Sequence, residues 1–155
     1  KMYYTSIGDS RLFIYSEKDG LNLLNYEDNV MNLKLANGMA WDKVVNSEGR
    51  YAITRYIGGG SFKDGKLYPR EFTISIDCLD LEPGQIIIIC SDGVTDYINK
   101  SYYNDDLWKV TESLEKIIKE NKEKSLDVLN NKIITEANLN GGGDNITIIT
   151  SKVLK

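Results

Sequence analysis

The stretch IIIICSDGVTD occupies residues 86–96 and joins an apolar run to two carboxylates. The near-continuous isoleucine run over residues 85–90 predicts a central β-strand that is covered on both faces. Asp92 comes just after this strand, where Gly93 lets the backbone turn sharply. A carboxylate that a sheet holds in place and leaves open to solvent suits a hard cation. A cap for the turn after the strand is the structural alternative for Asp92.

A second glycine-rich segment, GGGDNITI at residues 141–148, also leads into a carboxylate. Asp144 and Asn145 open the last predicted strand, residues 146–153, so Asp144 also stands at a strand end. Plain turn formation is an alternative reason for a Gly-Asp-Asn sequence. The spacings match neither a phosphate-binding glycine loop nor an EF-hand. Taken alone, the segment leaves the ligand and turn interpretations open.

The segments upstream of residue 85 are short and predict antiparallel strands interrupted by two helices. Strands are predicted at residues 2–7, 12–15, 51–56 and 72–76, with a turn at Gly8-Asp9-Ser10 that makes the first two part of a meander. Two short helices within residues 28–46 are expected to separate at Asn37-Gly38. The three glycines at residues 58–60 predict a loop.

Two amphipathic helices are predicted downstream, because apolar residues recur there at three- and four-residue steps. The first carries Leu107, Val110, Leu114, Ile117 and Ile118 on one face. In the second, Ser125 is the expected N-cap, and the apolar face is Leu126, Leu129, Ile133 and Ala137. Strand–helix alternation is too sparse for a doubly wound sheet, so the pattern predicts an α+β fold with antiparallel sheets.

The composition excludes several classes of protein. The 155 residues fit a single domain, residues 1–155, and their net charge of −4 gives no footprint for nucleic acid or acidic membranes. The chain has no histidine, which excludes Ser-His-Asp and Cys-His catalysis and histidine-based zinc sites. Cys78 and Cys90 do not make a disulfide framework, and no apolar run is long enough to span a membrane. The cytoplasm is the expected compartment.

Five segments, in this order, resemble the motifs of the PP2C family of protein phosphatases. IGDSRL at residues 7–12 resembles the family's GDSR motif, and LNYEDN at residues 24–29 stands where bacterial members carry Thr-x-Asp-His-Ser. ITRYIG at residues 53–58 is similar to Leu-Thr-Arg-Ala-Leu-Gly, SDGVTD at residues 91–96 to Ser-Asp-Gly-x-x-Asp, and GGDNIT at residues 142–147 to Gly-x-Asp-Asn-Ile-Thr. The last two matches are the most specific.

The resemblance implies a role for each matched position. Asp92 and Asp144 match metal ligands that help to bind two Mn²⁺ or Mg²⁺ ions, between which a bridging water attacks phosphorus. Asp28 matches a candidate ligand of a third, weaker ion, after a one-residue shift of the alignment. Asp9 and Arg11 match scaffold positions at a hairpin turn. The expected substrate is a protein phosphorylated on serine or threonine.

Departures from the family pattern define a second hypothesis. The resemblance covers the C-terminal two-thirds of a domain, a sandwich of two antiparallel sheets flanked by helices, here expected to lack its N-terminal strands. The Arg, Glu-Asp and Asp-Gly-x-Gly-Gly motifs of the family's first third do not occur upstream of Gly8, and Asn29 replaces the usual histidine. We therefore expect an active phosphatase in the parent protein and no activity in this fragment. The alternative is a pseudophosphatase or regulatory binding module that retains the fold.

The same departures predict self-association. Without the family's first strands, residues 86–90 or 146–153 are expected to leave one side unpaired, and an unpaired apolar strand is a template for another chain. Residues 85–90 and 146–150 carry no charge that would oppose such pairing.

Overall fold

The computed structural model describes residues 1–71, 73–99 and 107–155. The elements, in chain order, are β1 (Met2–Tyr4), β2 (Arg11–Ser16), β3 (Gly20–Leu23), α1 (Val30–Ala36), α2 (Trp41–Val45), β4 (Gly60–Lys63), β5 (Lys66–Pro69), β6 (Asp77–Leu79), β7 (Ile86–Cys90), α3 (Asp92–Thr95), α4 (Leu107–Asn121), α5 (Leu126–Leu139) and β8 (Ile148–Lys152). None of the helices in these ranges is long and apolar enough to cross a membrane.

The chain divides into two compact units made of interleaved segments. The first unit consists of Lys1–Asp9 and Tyr26–Asp80, and the second of Ser10–Asn25 and Leu81–Lys155. All sheet pairings among the described residues are antiparallel, which confirms the predicted α+β class.

The second unit is built on a four-stranded sheet in the order β3-β2-β7-β8. Strand β7 is therefore central, as predicted. The prediction that it is covered on both faces is wrong: Ile86, Ile88 and Cys90 are buried, whereas Ile89 is 46% exposed. Successive side chains of a strand point to opposite faces, and within the second unit α4 and α5 pack on the face that carries Ile86, Ile88 and Cys90.

Strand β7 also corrects the predicted edge along residues 86–90. It pairs with β2 on one side and with β8 on the other, so its backbone groups are used in the sheet. Strand β8 pairs with β7 and ends the sheet among the described residues. The edge expected along the last strand therefore remains at β8.

Helices α4 and α5 cover the buried face of this sheet, as their apolar periodicity predicts. The shared core contains Phe13, Tyr15, Leu21, Ile86, Ile88, Cys90, Val94, Ile98, Leu114, Ile118, Leu129 and Ile133. Ser125 caps α5 by accepting a hydrogen bond from the backbone N–H of Val128 at 3.3 Å, which confirms the predicted N-cap. The buried face of α5 continues to Ala137, as predicted.

The first unit contains the two short helices that were predicted, α1 and α2, but its strands differ from the prediction. Strand β1 pairs with β6, so β1 and β2 do not form the first hairpin of a meander. Residues 51–56 form no strand and contribute only a bridge between Ile53 and Asn29. Residues 73–76 form no strand either, and Phe72 lies outside the described residues.

A hairpin of β4 and β5 was missed by the sequence prediction. Gly60, assigned to a loop with its two neighbours, begins β4 and faces Pro69 of β5. The turn consists of Asp64 at φ 51° and Gly65 at φ 73°. Asp-Gly between two short strands is a recognised hairpin signal, because both residues of that turn need positive φ.

Candidate metal site

Asp92 and Asp144 lie at the same end of the second unit's sheet. Asp92 is the first residue of α3, which begins two residues after β7 ends at Cys90. Asp144 comes four residues before β8 begins at Ile148, and Cys90 is the register partner of Ile148. Because β7 and β8 are antiparallel neighbours, the C-terminal end of β7 lies beside the N-terminal end of β8, at one end of the sheet.

Ser91 joins these two segments with three hydrogen bonds. Its backbone N–H donates to the carbonyl of Thr147 at 3.0 Å. Its Oγ donates to the carbonyl of Asn145 at 3.0 Å and accepts from the N–H of Thr147 at 3.1 Å. Ser91 belongs to a motif, but no local signal predicts these hydrogen bonds, because its partners lie more than fifty residues away in the chain.

Gly93 permits the close approach of the two segments. A Cβ built on Gly93 would lie 2.3 Å from the carbonyl oxygen of Asn145 and 3.5 Å from the carbonyl carbon of Asp144. Gly93 is not among the glycines with positive φ. A glycine is therefore required here for space, and not for the sharp turn that the sequence suggested.

Each carboxylate is oriented by the backbone amide of the next residue. Oδ1 of Asp92 accepts a hydrogen bond from Gly93 N–H at 2.8 Å, and Oδ1 of Asp144 accepts one from Asn145 N–H at 2.6 Å. Asp92 is half-buried and Asp144 is exposed. The pair thus presents anionic oxygen atoms to solvent at the end of the sheet, where β7, β8 and Ser91 hold the two segments.

The chemistry of this donor set fits a hard divalent cation, but the number of donors is small. Mg²⁺ prefers an octahedron of oxygen ligands, of which carboxylates usually supply one or two. Among the described residues, no group of three or more aspartate, glutamate, cysteine or histidine side chains comes together as a metal site. Asp92 and Asp144 would hold part of the first coordination sphere, and the remainder would come from water or other groups.

Asp28, the candidate ligand of a third ion, belongs to the first unit and is half-buried. Its Oδ1 is 3.2 Å from Nη1 of Arg55, and its Oδ2 accepts a hydrogen bond from Gly8 N–H at 3.1 Å. Its backbone also accepts from Thr54 N–H at 2.6 Å and donates to the Gly8 carbonyl at 2.8 Å. These contacts make Asp28 an anchor between three of the motif segments, and its role as a ligand remains a prediction.

Asn29, which stands at the family's histidine position, has a local structural function. Its Oδ1 accepts a hydrogen bond from Asn32 N–H at 2.8 Å and so caps α1. Its Nδ2 donates to the Glu27 carboxylate at 2.7 Å, and the side chain is buried. Asn29 therefore supports the helix that follows Asp28.

Comparisons with known proteins point to one family. No family sequence profile matches the chain. The chain is 32% identical over 145 residues to a protein of Streptococcus pyogenes serotype M6 assigned to the protein phosphatase 2C type, covering 94% of this chain and 50% of the relative. The chain spans about half the length of the relatives it matches.

Several solved structures with the same fold are bacterial serine/threonine phosphatases. The S. agalactiae enzyme matches with a TM-score of 0.72 at 24% identity, over 99% of this chain and 54% of that one. The Mycobacterium tuberculosis phosphatase PstP/Ppp matches with a TM-score of 0.70 at 17% identity, over 99% and 55% respectively. A PstP catalytic domain solved in complex with two manganese ions also matches, at a TM-score of 0.64 and 16% identity, over 99% of this chain and 54% of that one. At these identities the likeness shows the fold.

Proposed function

Because the chain is a relative of PP2C-type protein phosphatases, of which it spans about half, we propose that it forms part of a metal-dependent protein serine/threonine phosphatase. The proposed reaction is hydrolysis of phosphoserine and phosphothreonine in proteins. Manganese or magnesium is the proposed cofactor, with two ions in the complete active site. The cytoplasm remains the proposed compartment.

The observation that carries this proposal is that Asp92 and Asp144 lie at the same end of the sheet. Two aspartates from distant parts of the sequence are brought to neighbouring strand ends and held there by Ser91. If Asp92 only capped the turn after β7, a second carboxylate at the same end of the sheet would not be needed. The match of both segments to the phosphatase motifs supports the proposal that the pair binds metal.

The chain's own residues would bind and orient. Asp92, fixed by β7 and by the amide of Gly93, would supply one oxygen ligand, and Asp144 would supply another from the loop before β8. When bound, a pair of divalent ions lowers the pKa of a coordinated water and neutralises charge on the phosphoryl oxygens. Ser91 would keep the separation of the two carboxylates constant through its three hydrogen bonds.

A phosphatase assay with a matched control tests this function. The 155-residue chain with Mn²⁺ should hydrolyse p-nitrophenyl phosphate at a rate near background, because two carboxylates are too few to hold two metal ions. The longest natural protein that contains the chain should be active on a phosphoserine peptide. In that protein Asp144→Asn should lower kcat at least about tenfold, because even outer-shell changes cost that much.

Asp80→Asn is the control, since Asp80 is an exposed carboxylate of the first unit and should leave kcat unchanged. Robust turnover by the 155-residue chain would refute the proposed inactivity. Unchanged kcat in Asp144→Asn would refute the assignment of the metal ligand.

A pseudophosphatase or regulatory binding module is the second candidate. It is favoured by the small number of ligands that the described residues bring together. In that case the longest natural protein would remain without turnover at saturating Mn²⁺ while its fold stays intact by circular dichroism.

A further inference from the structure

The loop that delivers Asp144 is packed against the aromatic ring of Tyr97. A Cβ built on Gly141 would lie 3.2 Å from Cδ1 of Tyr97, and one built on Gly143 would lie 2.4 Å from its Oη and 3.0 Å from its Cζ. Tyr97 comes two residues after α3, the helix that begins with Asp92. Tyr97 therefore links the segment that follows α3 to the loop that carries Asp144.

The three glycines of this loop are required for different reasons. Gly141 and Gly142 have φ of 138° and 53°, which favour glycine through the backbone alone. Gly143 is not among the residues with positive φ, so its backbone would accept a side chain. What excludes a side chain at Gly143 is the contact with Tyr97.

A hydrogen bond next to Tyr97 fixes the same loop. Nδ2 of Asn140 donates to the carbonyl of Ile98 at 3.3 Å, and Ile98 is buried in the core. The loop also begins on α5, because Gly142 N–H donates to the carbonyl of Ala137 at 3.2 Å. Tyr97 thus contacts a loop whose first residues are already held in place, immediately before Asp144.

We propose that Tyr97 is a positioning residue for the metal site: its ring, packed on Gly141 and Gly143, sets where Asp144 stands relative to Asp92. The inference rests on the proposed function, in which these aspartates bind Mn²⁺ or Mg²⁺. Ser91 and Gly93 fix the loop on the side of β8, and Tyr97 fixes it on the side of α5. Together they hold Asp144 from both directions.

Line broadening by Mn²⁺ in amide NMR spectra of the 155-residue chain tests the proposal. Substoichiometric Mn²⁺ should selectively broaden the amide signals of Gly93 and Asn145. Tyr97→Ala should reduce this broadening about tenfold at equal Mn²⁺, which is the usual cost of losing support around a metal ligand. Tyr97→Phe keeps the ring atoms that contact Gly141 and should restore the broadening. Tyr26→Ala, which removes a ring that is 88% exposed, is the matched control.

Gly143→Ala tests the contact from the opposite side and without metal. In the presence of Tyr97 it should lower Tm by about 2–4 °C or more, because a methyl group is forced into occupied space. In a Tyr97→Ala background the same substitution should leave Tm unchanged. If Tyr97→Ala does not give a cooperative thermal transition, Mn²⁺ broadening is measured in Gly143→Ala instead. Reduced broadening in that variant supports the positioning role of Tyr97.

The outcomes distinguish the metal assignment of Asp92 and Asp144 from the positioning role of Tyr97. No selective broadening in the unsubstituted chain would overturn the metal assignment of the proposed function, and the positioning role with it. Broadening that is present in the unsubstituted chain and unchanged in both Tyr97→Ala and Gly143→Ala would overturn the positioning role alone.

Discussion

Gly93→Ala is the substitution for which the structure predicts most clearly that stability falls. By helix propensity, alanine in α3 should stabilise the protein by about 1 kcal/mol relative to glycine. The new methyl group, however, would lie 2.3 Å from the carbonyl oxygen of Asn145, a backbone atom that cannot rotate away. One of the two segments must therefore move.

The magnitude follows from what that movement breaks. Displacing Asn145 removes the hydrogen bond from Ser91 Oγ and strains the two between Ser91 and Thr147, each worth about 0.5–1.5 kcal/mol. Overpacking adds about 1–3 kcal/mol. After subtracting the propensity gain of about 1 kcal/mol, the net loss of stability should be about 3 kcal/mol, a fall in Tm of roughly 6–12 °C for a domain of this size.

Urea and thermal unfolding followed by circular dichroism measure this change. Gly84→Ala is the control, because Gly84 has φ 92° and open space around it, so only backbone strain of about 1–2 kcal/mol is expected. Amide signals of Asn145 and Thr147 should shift in Gly93→Ala and stay in place in Gly84→Ala. A Gly93→Ala variant as stable as the parent would show that the loop before β8 does not lie over α3.

Two further predictions concern pH and assembly. The hydrogen bond from Lys119, followed by the N–H of Leu21 and the charge of Lys119, holds the pKa of Glu115 below its usual range. The stability that these contacts contribute is therefore present at neutral pH and lost as pH falls through the folded-state pKa. The Tm of Glu115→Gln should therefore fall less steeply than that of the parent as the pH is lowered below about 4.5. Equal slopes of Tm against pH in the two proteins would contradict this. The β8 edge should pair with a second copy, so light scattering at low micromolar concentration should give a mass above 17.5 kDa that Ile149→Lys lowers. A clean monomer of the unsubstituted chain would contradict edge pairing.

Much of the second unit could be predicted from local sequence. The apolar faces of α4 and α5, the Ser125 cap and the central position of β7 follow from periodicity and turn chemistry that involve residues within a few positions of each other. The separation of α1 from α2 near Gly38 is similarly local. The strand predicted at residues 51–56 failed because apolar content alone does not provide a partner strand, and those residues make only one bridge.

The sequence by itself determined the candidates for the proposed metal site, Asp92 after an isoleucine strand and Asp144 after three glycines, and it holds no histidine. These are properties of composition and of spacing over a few residues, which local backbone preferences translate directly into strand ends and turns.

Only the tertiary structure decided how those residues are held. Sheet pairing joins β1 to β6 and Ser91 to the loop after Asp144, across more than fifty residues of chain in both cases. It places the carbonyl of Asn145 where a Cβ of residue 93 would lie, and the ring of Tyr97 where a Cβ of residue 143 would lie. Contacts of this kind depend on which strands become neighbours, and that choice is made by burial of the whole apolar surface, because no short segment contains both partners.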